Sequence, residues 1–232
     1  MTSHPEEQPT RLNKFLAYHC GISRREADDY IAAGRVHLNG EVATIGDRVR
    51  VNDTVVLDNK PLKLRDSTTT IALHKPIDYV CSRKRQGDTP TIYELLPPEF
   101  HRLKPVGRLD KLSSGIILLT DDGDLAHQMT HPKFAKIKRY RVSLDIPLQP
   151  LHRQMIQDYG VTLDDGVSKF AVNRLEDNAG DAEWEVILRE GRNRQIRRTF
   201  AALGYTVTAL HRVQFGDYTV DDIEPGKWRT LS

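Results

Sequence analysis

Gly107-Arg108-Leu109-Asp110-Lys111-Leu112-Ser113-Ser114-Gly115-Ile116-Ile117-Leu118-Leu119 reads as a loop running into a strand. The first glycine lets the backbone turn tightly, and the unbroken apolar run at 116–119 predicts a strand covered on both faces. One carboxylate, Asp110, then stands beside one guanidinium, Arg108, at a rigid strand edge. A carboxylate held in that way can act as nucleophile or general base. In isolation the pair also reads as a plain turn, with Asp110 capping local amides and Arg108 solvated.

Working outward, apolar or alternating segments at 71–73, 140–144, 184–188 and 205–210 join 116–119 and outnumber the helical candidates. An α+β domain on a mixed, mainly antiparallel sheet is expected over 71–232. Ile196, Phe200 and Leu203 recur at helical spacing before Gly204, so the basic residues around Arg197 should begin a helix. Upstream, residues 11–58 read as a small module. Leu12, Phe15, Leu16 and His19 have helical spacing closed by Gly21, and Ser23 with Glu26 has capping-box spacing for a second helix that carries Ala27, Tyr30 and Ile31 inward up to Gly34. Val36 and Leu38 lead to Asn39-Gly40, a hairpin signal with Val42 on the return, and Val49, Val51, Val55 and Leu57 should complete the sheet. Residues 59–70, with Pro61 and a polar run, have linker composition, and the polar stretch 1–10 is expected to be a disordered tail.

A chain of 232 residues accommodates a small and a larger domain. The net charge of +2 does not announce a nucleic-acid binder, so the placement of the 34 basic residues has to carry that argument. They gather at 24–25, 83–85, 136–141 and 189–198. Cys20 and Cys81 lack metal-ligand spacing, and His74, His131 and His211 are dispersed, so these histidines read as satisfied polar groups and no metal site is expected. Residues 1–10 lack the apolar core of a signal peptide and no run is long enough to span a bilayer; a cytoplasmic protein without membrane association is expected.

His74-Lys75-Pro76, Gly107-Arg108-Leu109-Asp110, Lys138-Arg139-Tyr140 and Glu190-Gly191-Arg192-Asn193-Arg194-Gln195-Ile196-Arg197-Arg198 follow in that order, behind Arg11-Leu12-Asn13-Lys14-Phe15-Leu16. The series resembles the RsuA family of ribosomal RNA pseudouridine synthases, from Arg11 to the Gly226-Lys227-Trp228-Arg229 ending. The resemblance implies a small N-terminal α-L RNA-binding domain, then a pseudouridine synthase domain with a central cleft. It also implies that Asp110 is the catalytic residue and that Arg197, through its place in Gln-Ile-Arg, is the buried arginine facing it. Many relatives carry glycine near Asp78 and threonine at Ser113; serine keeps the hydroxyl, while Asp78 is expected to affect the loop at 79–85.

Pseudouridine formation breaks the bond between the base and ribose, turns the uracil and rejoins it through carbon 5, with no second substrate and no redox step. The reaction needs a carboxylate near the anomeric carbon and a pocket for the detached base, and no cofactor is expected. Tyr140, opening a strand, offers a flat ring for uracil, and Arg108 is expected to fill the gap left by the target base. Arg11, Lys14, Arg24, Arg25 and Arg35 of the small module and Arg192, Arg194 and Arg198 of the arginine segment are candidate phosphate contacts. Ribosomal RNA or an assembling ribosomal subunit is the expected partner of a monomeric enzyme. The alternative is a non-catalytic RNA-binding or assembly factor in which Asp110 is structural; the joint presence of Asp110, Tyr140 and Arg197 favours the enzyme.

Overall fold

The computed structural model describes residues 9–65, 67–175 and 182–231. The chain divides into two units, 1–68 and 69–232.

In the first unit, β1 (Thr10–Arg11) leads into α1 (Leu12–Cys20), which ends at Gly21 with φ of 73°. The Ser23–Glu26 capping box forms and starts α2 (Arg24–Ala32), an arrangement worth about 1 kcal/mol. Strands β2 (Val36–Leu38) and β3 (Glu41–Val42) form the expected hairpin across Asn39 and Gly40. The stretch expected to complete that sheet divides instead. β4 (Arg48–Val49) pairs with β1, whereas β5 (Val55–Leu57) pairs with β2, and β6 (Lys60–Pro61) pairs with β5. Between them the Asp53 carboxylate accepts from Arg50 N at 2.7 Å and closes a turn that leaves Val51 exposed. Leu12, Leu16, Ala27, Ile31, Val36, Val49 and Val55 form the core. Residues 1–8 of the expected tail lie outside the described residues, and Thr10 is already paired with Val49.

The second unit is built on one sheet in the order β13-β14-β10-β15-β9-β7-β17. These strands are β7 (Thr70–Lys75), β9 (Ser114–Thr120), β10 (Lys138–Leu144), β13 (Ala171–Arg174), β14 (Glu183–Leu188), β15 (Val207–Phe215) and β17 (Trp228–Leu231). Short strands β8 (Lys104–Pro105) and β16 (Tyr218–Thr219) add to β9 and β15. Along the main path only β15 against β9 is parallel. A separate hairpin, β11 (Val161–Leu163) with β12 (Gly166–Ser168), lies outside it. Helices α3 (Gly123–Thr130), α4 (Pro150–Gln154) and α5 (Gln195–Ala201) complete the unit.

β9 is covered on both faces, as its apolar run predicts. Ile117 and Leu119 join Ile71, Leu73 and Leu103 on one side; Ile116 and Leu118 join Ala72, Met129 and Phe215 on the other. Each such side chain contributes about 1.5–3 kcal/mol through burial, so the strand that follows Asp110 is firmly fixed. α5 begins at Gln195, with Arg194 ahead of it at φ of 45°, so Arg192 and Arg194 lie in a loop before the helix and do not start it. Asp78 has φ of 65°, a conformation that glycine adopts freely and aspartate tolerates.

Candidate active site

Asp110 sits half-buried in the turn between buried Leu109 and β9, and Ser113 N donates to its carbonyl at 3.1 Å. The carbonyls that follow are taken up by two cations. Lys75, fully buried on β7, donates from Nζ to Ser113 O at 2.6 Å, Pro76 O at 2.9 Å and Lys111 O at 3.4 Å. Arg197 donates to Leu112 O at 2.8 Å and to Val207 O at 2.7 Å. Asp78 N adds a bond to Lys111 O, and Cys81 exchanges hydrogen bonds with both backbone groups of Leu109. The loop is therefore fixed by charged donors on three consecutive carbonyls, so the carboxylate does not wander.

This geometry corrects the expected partner of Asp110. The ion pair at its carboxylate is made by Arg194, at 3.6 Å, with both side chains partly exposed. Arg197 is near enough for Asp110 to act on it, yet burial and Arg194 dominate and push its pKa down. Its guanidinium is occupied by two carbonyls because α5 brings it beneath the loop, while Arg194, ahead of the helix, reaches over the cavity. Burial also pushes the Lys75 ammonium down to about 8, against the opposing pull of the Asp110 and Asp78 carboxylates.

Asp110, Arg108, Tyr140 and Arg194 line one cavity of about 290 Å³, together with Lys138, Leu188, Glu190, Leu210, Arg212 and Phe215. Tyr140 is half-buried on β10, packs against the apolar clusters on either side and stands opposite Arg212 on β15. A cavity of this size lined by an aromatic ring and a carboxylate is suited to a nucleobase with its ribose.

Two expected phosphate contacts are used within the chain. Arg192 donates to Asp165, Gly166 O and Val167 O, pinning the β11–β12 hairpin to the arginine loop. Arg198 pairs with Asp164 and Asp165, and Asp165 at 2.6 Å raises its pKa further. Both arginines face the acidic turn of the hairpin, a neighbour that sequence spacing does not reveal. In the first unit, Arg35 makes a two-pronged pair with Asp58 and stacks at 4.0 Å on Tyr30, and Arg24 donates to Asn13. Arg11 and Arg25 are exposed and Lys14 is half-buried. His74 donates to Ile223 O at 2.6 Å, His131 accepts from Lys133 N, and His211 shares a 2.9 Å bond with Ser114 Oγ. Lys75, Lys138 and Arg212 are site residues that no local sequence pattern marks: Lys75 ends β7 after His74, and Arg212 lies between His211 and Val213 in a strand of mixed polarity.

Residues 69–202 match the family described as RNA pseudouridylate synthase, and residues 10–55 match the S4 domain. A ribosomal small subunit pseudouridine synthase A from Pasteurella multocida is 36% identical, the match covering 96% of each chain. A ribosomal large subunit pseudouridine synthase B from Escherichia coli K12 is 35% identical over 95% of this chain and 79% of its own. An uncharacterized RNA pseudouridine synthase from Aquifex aeolicus is 34% identical, covering 96% of this chain and 92% of that one. A crystal structure of a pseudouridylate synthase superposes with a TM-score of 0.68 at 32% identity, covering 96% of both chains. The chain belongs to the RNA pseudouridylate synthase family, as a member of its RsuA branch with an N-terminal S4 domain.

Proposed function

We propose that the chain converts a uridine of ribosomal RNA into pseudouridine, with Asp110 as the catalytic carboxylate. One observation carries this reading: Asp110 and Tyr140 line one cavity of nucleoside size, with Asp110 on a loop whose carbonyls are held by Lys75 and Arg197. The names of the relatives support ribosomal RNA as the substrate class.

In this reading the target nucleotide leaves the RNA stack and enters the cavity, and Arg108 on the exposed rim fills the space it vacates. Arg194 pairs with the Asp110 carboxylate and orients it. The base's bond to C1′ breaks, and Asp110 meets the sugar's electron deficiency either by bonding to C1′ or by taking a proton from C2′. Tyr140 holds the free uracil flat while carbon 5 turns toward C1′. As carbon 5 bonds to C1′, Asp110 releases C1′ or returns the C2′ proton; carbon 5 then gives up its proton, N1 takes one up, and no atom is gained or lost overall. Arg197 acts as a positioning residue through Leu112. The S4 unit contributes RNA affinity through Arg11, Lys14, Arg24 and Arg25, with the protein acting as a monomer in the cytoplasm. Relatives named for small- and large-subunit RNA are about equally similar, so RNA of both subunits is the substrate panel.

The test incubates ribosomal RNA of both subunits, as naked RNA and as assembling particles, with the protein and with Asp110→Asn. The expected result is pseudouridine at one defined position with the wild type and none with the variant, at similar RNA affinity. Turnover by Asp110→Asn near the wild-type rate would refute the assignment.

A further inference from the structure

The inner wall of the cavity carries two cations that the reading above leaves without a task. Arg212 on β15 is 2% exposed, and Lys138 on β10 is half-buried. Both lie against a single ring, with Arg212 Cζ 4.7 Å and Lys138 Nζ 5.4 Å from the centre of Phe215. Arg212 donates from Nε to Ile116 O at 2.8 Å, but its Nη2 is buried and meets no acceptor among the described residues. Lys138 reaches Lys136 O only at 3.5 Å. Burial and the charge of Arg212 both lower its pKa, against a weaker pull from Glu190. A buried cationic donor without an acceptor is costly, and the neighbouring cation adds repulsion. Both residues line the cavity, so a ligand that brings electron-rich oxygens there offsets the repulsion between the two cations.

An RNA substrate offers two kinds of such oxygens, and depth separates them. Phosphodiesters stay in the continuous strand at the rim, beside exposed Arg108 and Arg194, whereas only a base swung out of the stack reaches the inner wall. Tyr140, the expected base platform, is the cross-strand neighbour of Arg212, and Lys138 that of Phe215.

We propose that Arg212, assisted by Lys138, stabilises the negative charge that collects on uracil when its bond to the sugar breaks. The proposal rests on the functional reading above and deepens it. Cleavage of C1′–N1 leaves the bonding pair on N1, spread into O2 and O4, while Asp110 answers the matching deficit on the sugar. No further reactant is needed. Fixed donors placed where charge develops act on the transition state without having to reorganise. Gly115 makes the placement possible: a Cβ there would come within 2.2 Å of Arg212 O and 2.5 Å of Arg212 N, so only glycine lets the strand after Asp110 run this close to Arg212.

The test is single-turnover cleavage of the glycosidic bond in a ribosomal RNA fragment that the wild type modifies, carrying either uridine or 5-fluorouridine at the target. 5-Fluorouracil is the stronger acid and departs as an anion with less assistance. Arg212→Met should slow cleavage of uridine by about 100-fold and Lys138→Met by about 10-fold. RNA affinity should stay within about twofold, and both losses should shrink several-fold on the fluorinated substrate. Equal losses on the two substrates would overturn the proposal. A weaker affinity with a salt slope lowered by about one unit would also overturn it, because that marks a phosphate contact. Because Arg212 is buried, a cooperative melt accompanies each measurement, and Lys138→Met carries the same comparison if Arg212→Met does not fold. An inert wild type would overturn the functional reading itself; an active wild type with both variants at full rate would overturn only the uracil-anion role.

Discussion

Replacing Arg197 by lysine separates a loop-holding role from a charge-pairing one. The guanidinium donates to Leu112 O at 2.8 Å and Val207 O at 2.7 Å, which ties the Asp110 loop to the start of β15. Lysine keeps the charge but lacks the planar fork through which Nη1 and Nη2 of Arg197 each hold one carbonyl. One charged hydrogen bond is then lost, at a cost of about 1.5–3 kcal/mol, and one carbonyl loses its partner. The loop relaxes on the Leu112 side, and a shift of the carboxylate by about 1 Å lowers the rate by up to about 100-fold. Urea unfolding should show the stability loss, and single-turnover isomerisation a rate loss of at least about 10-fold at saturating RNA. Arg194→Lys is the control: its ion pair is longer and partly exposed, so the stability cost should stay within about 1 kcal/mol. If Arg197→Lys unfolds like the wild type and reacts at full rate, the loop-holding role is wrong.

The rate should decline as pH rises through about 8, where Lys75 loses a donor and the positive charge behind the Asp110 loop. The fold should not weaken over that range, because the unfolded chain keeps the lysine proton up to its ordinary value of 10.5 and stability rises with pH wherever the unfolded state binds more protons; a rate profile flat to pH 10 would contradict this. Arg192→Ala should destabilise the arginine loop yet leave the salt dependence of RNA binding unchanged, since its donors are bound to the β11–β12 hairpin; a slope lowered by about one unit would restore a phosphate role. Deleting residues 1–68 should weaken RNA binding and flatten its salt dependence while the chemical step at saturating RNA survives, and unchanged affinity and slope would show that the S4 unit is no RNA anchor.

Much of this architecture is legible in the sequence because local rules and tertiary contacts agree. The Ser23–Glu26 box, the Asn39-Gly40 turn and the apolar run after Asp110 each meet the partner that their pattern requires. Alternation places Val51 in a strand because it registers side chains and misses the Asp53 carboxylate, which closes a turn through a backbone amide. At the site, the motif order brings Asp110 and Tyr140 to one cavity. Which arginine meets Asp110 was not legible: Arg194 and Arg197 are three residues apart, and the choice turns on where α5 begins. Arg192 and Arg198 look like phosphate ligands in the sequence because their acidic partners, Asp164 and Asp165, lie some 30 residues upstream on a hairpin whose docking no local pattern announces.

The central claim is that Asp110 isomerises a uridine in ribosomal RNA, and position-resolved mapping of pseudouridine tests it most directly. Ribosomal RNA is compared from cells with the protein, without it, and without it but supplied with either the wild type or Asp110→Asn. One or a few pseudouridines should vanish in the deletion, return with the wild type and stay absent with Asp110→Asn. An unchanged map in the deletion, or full return with Asp110→Asn, would contradict it.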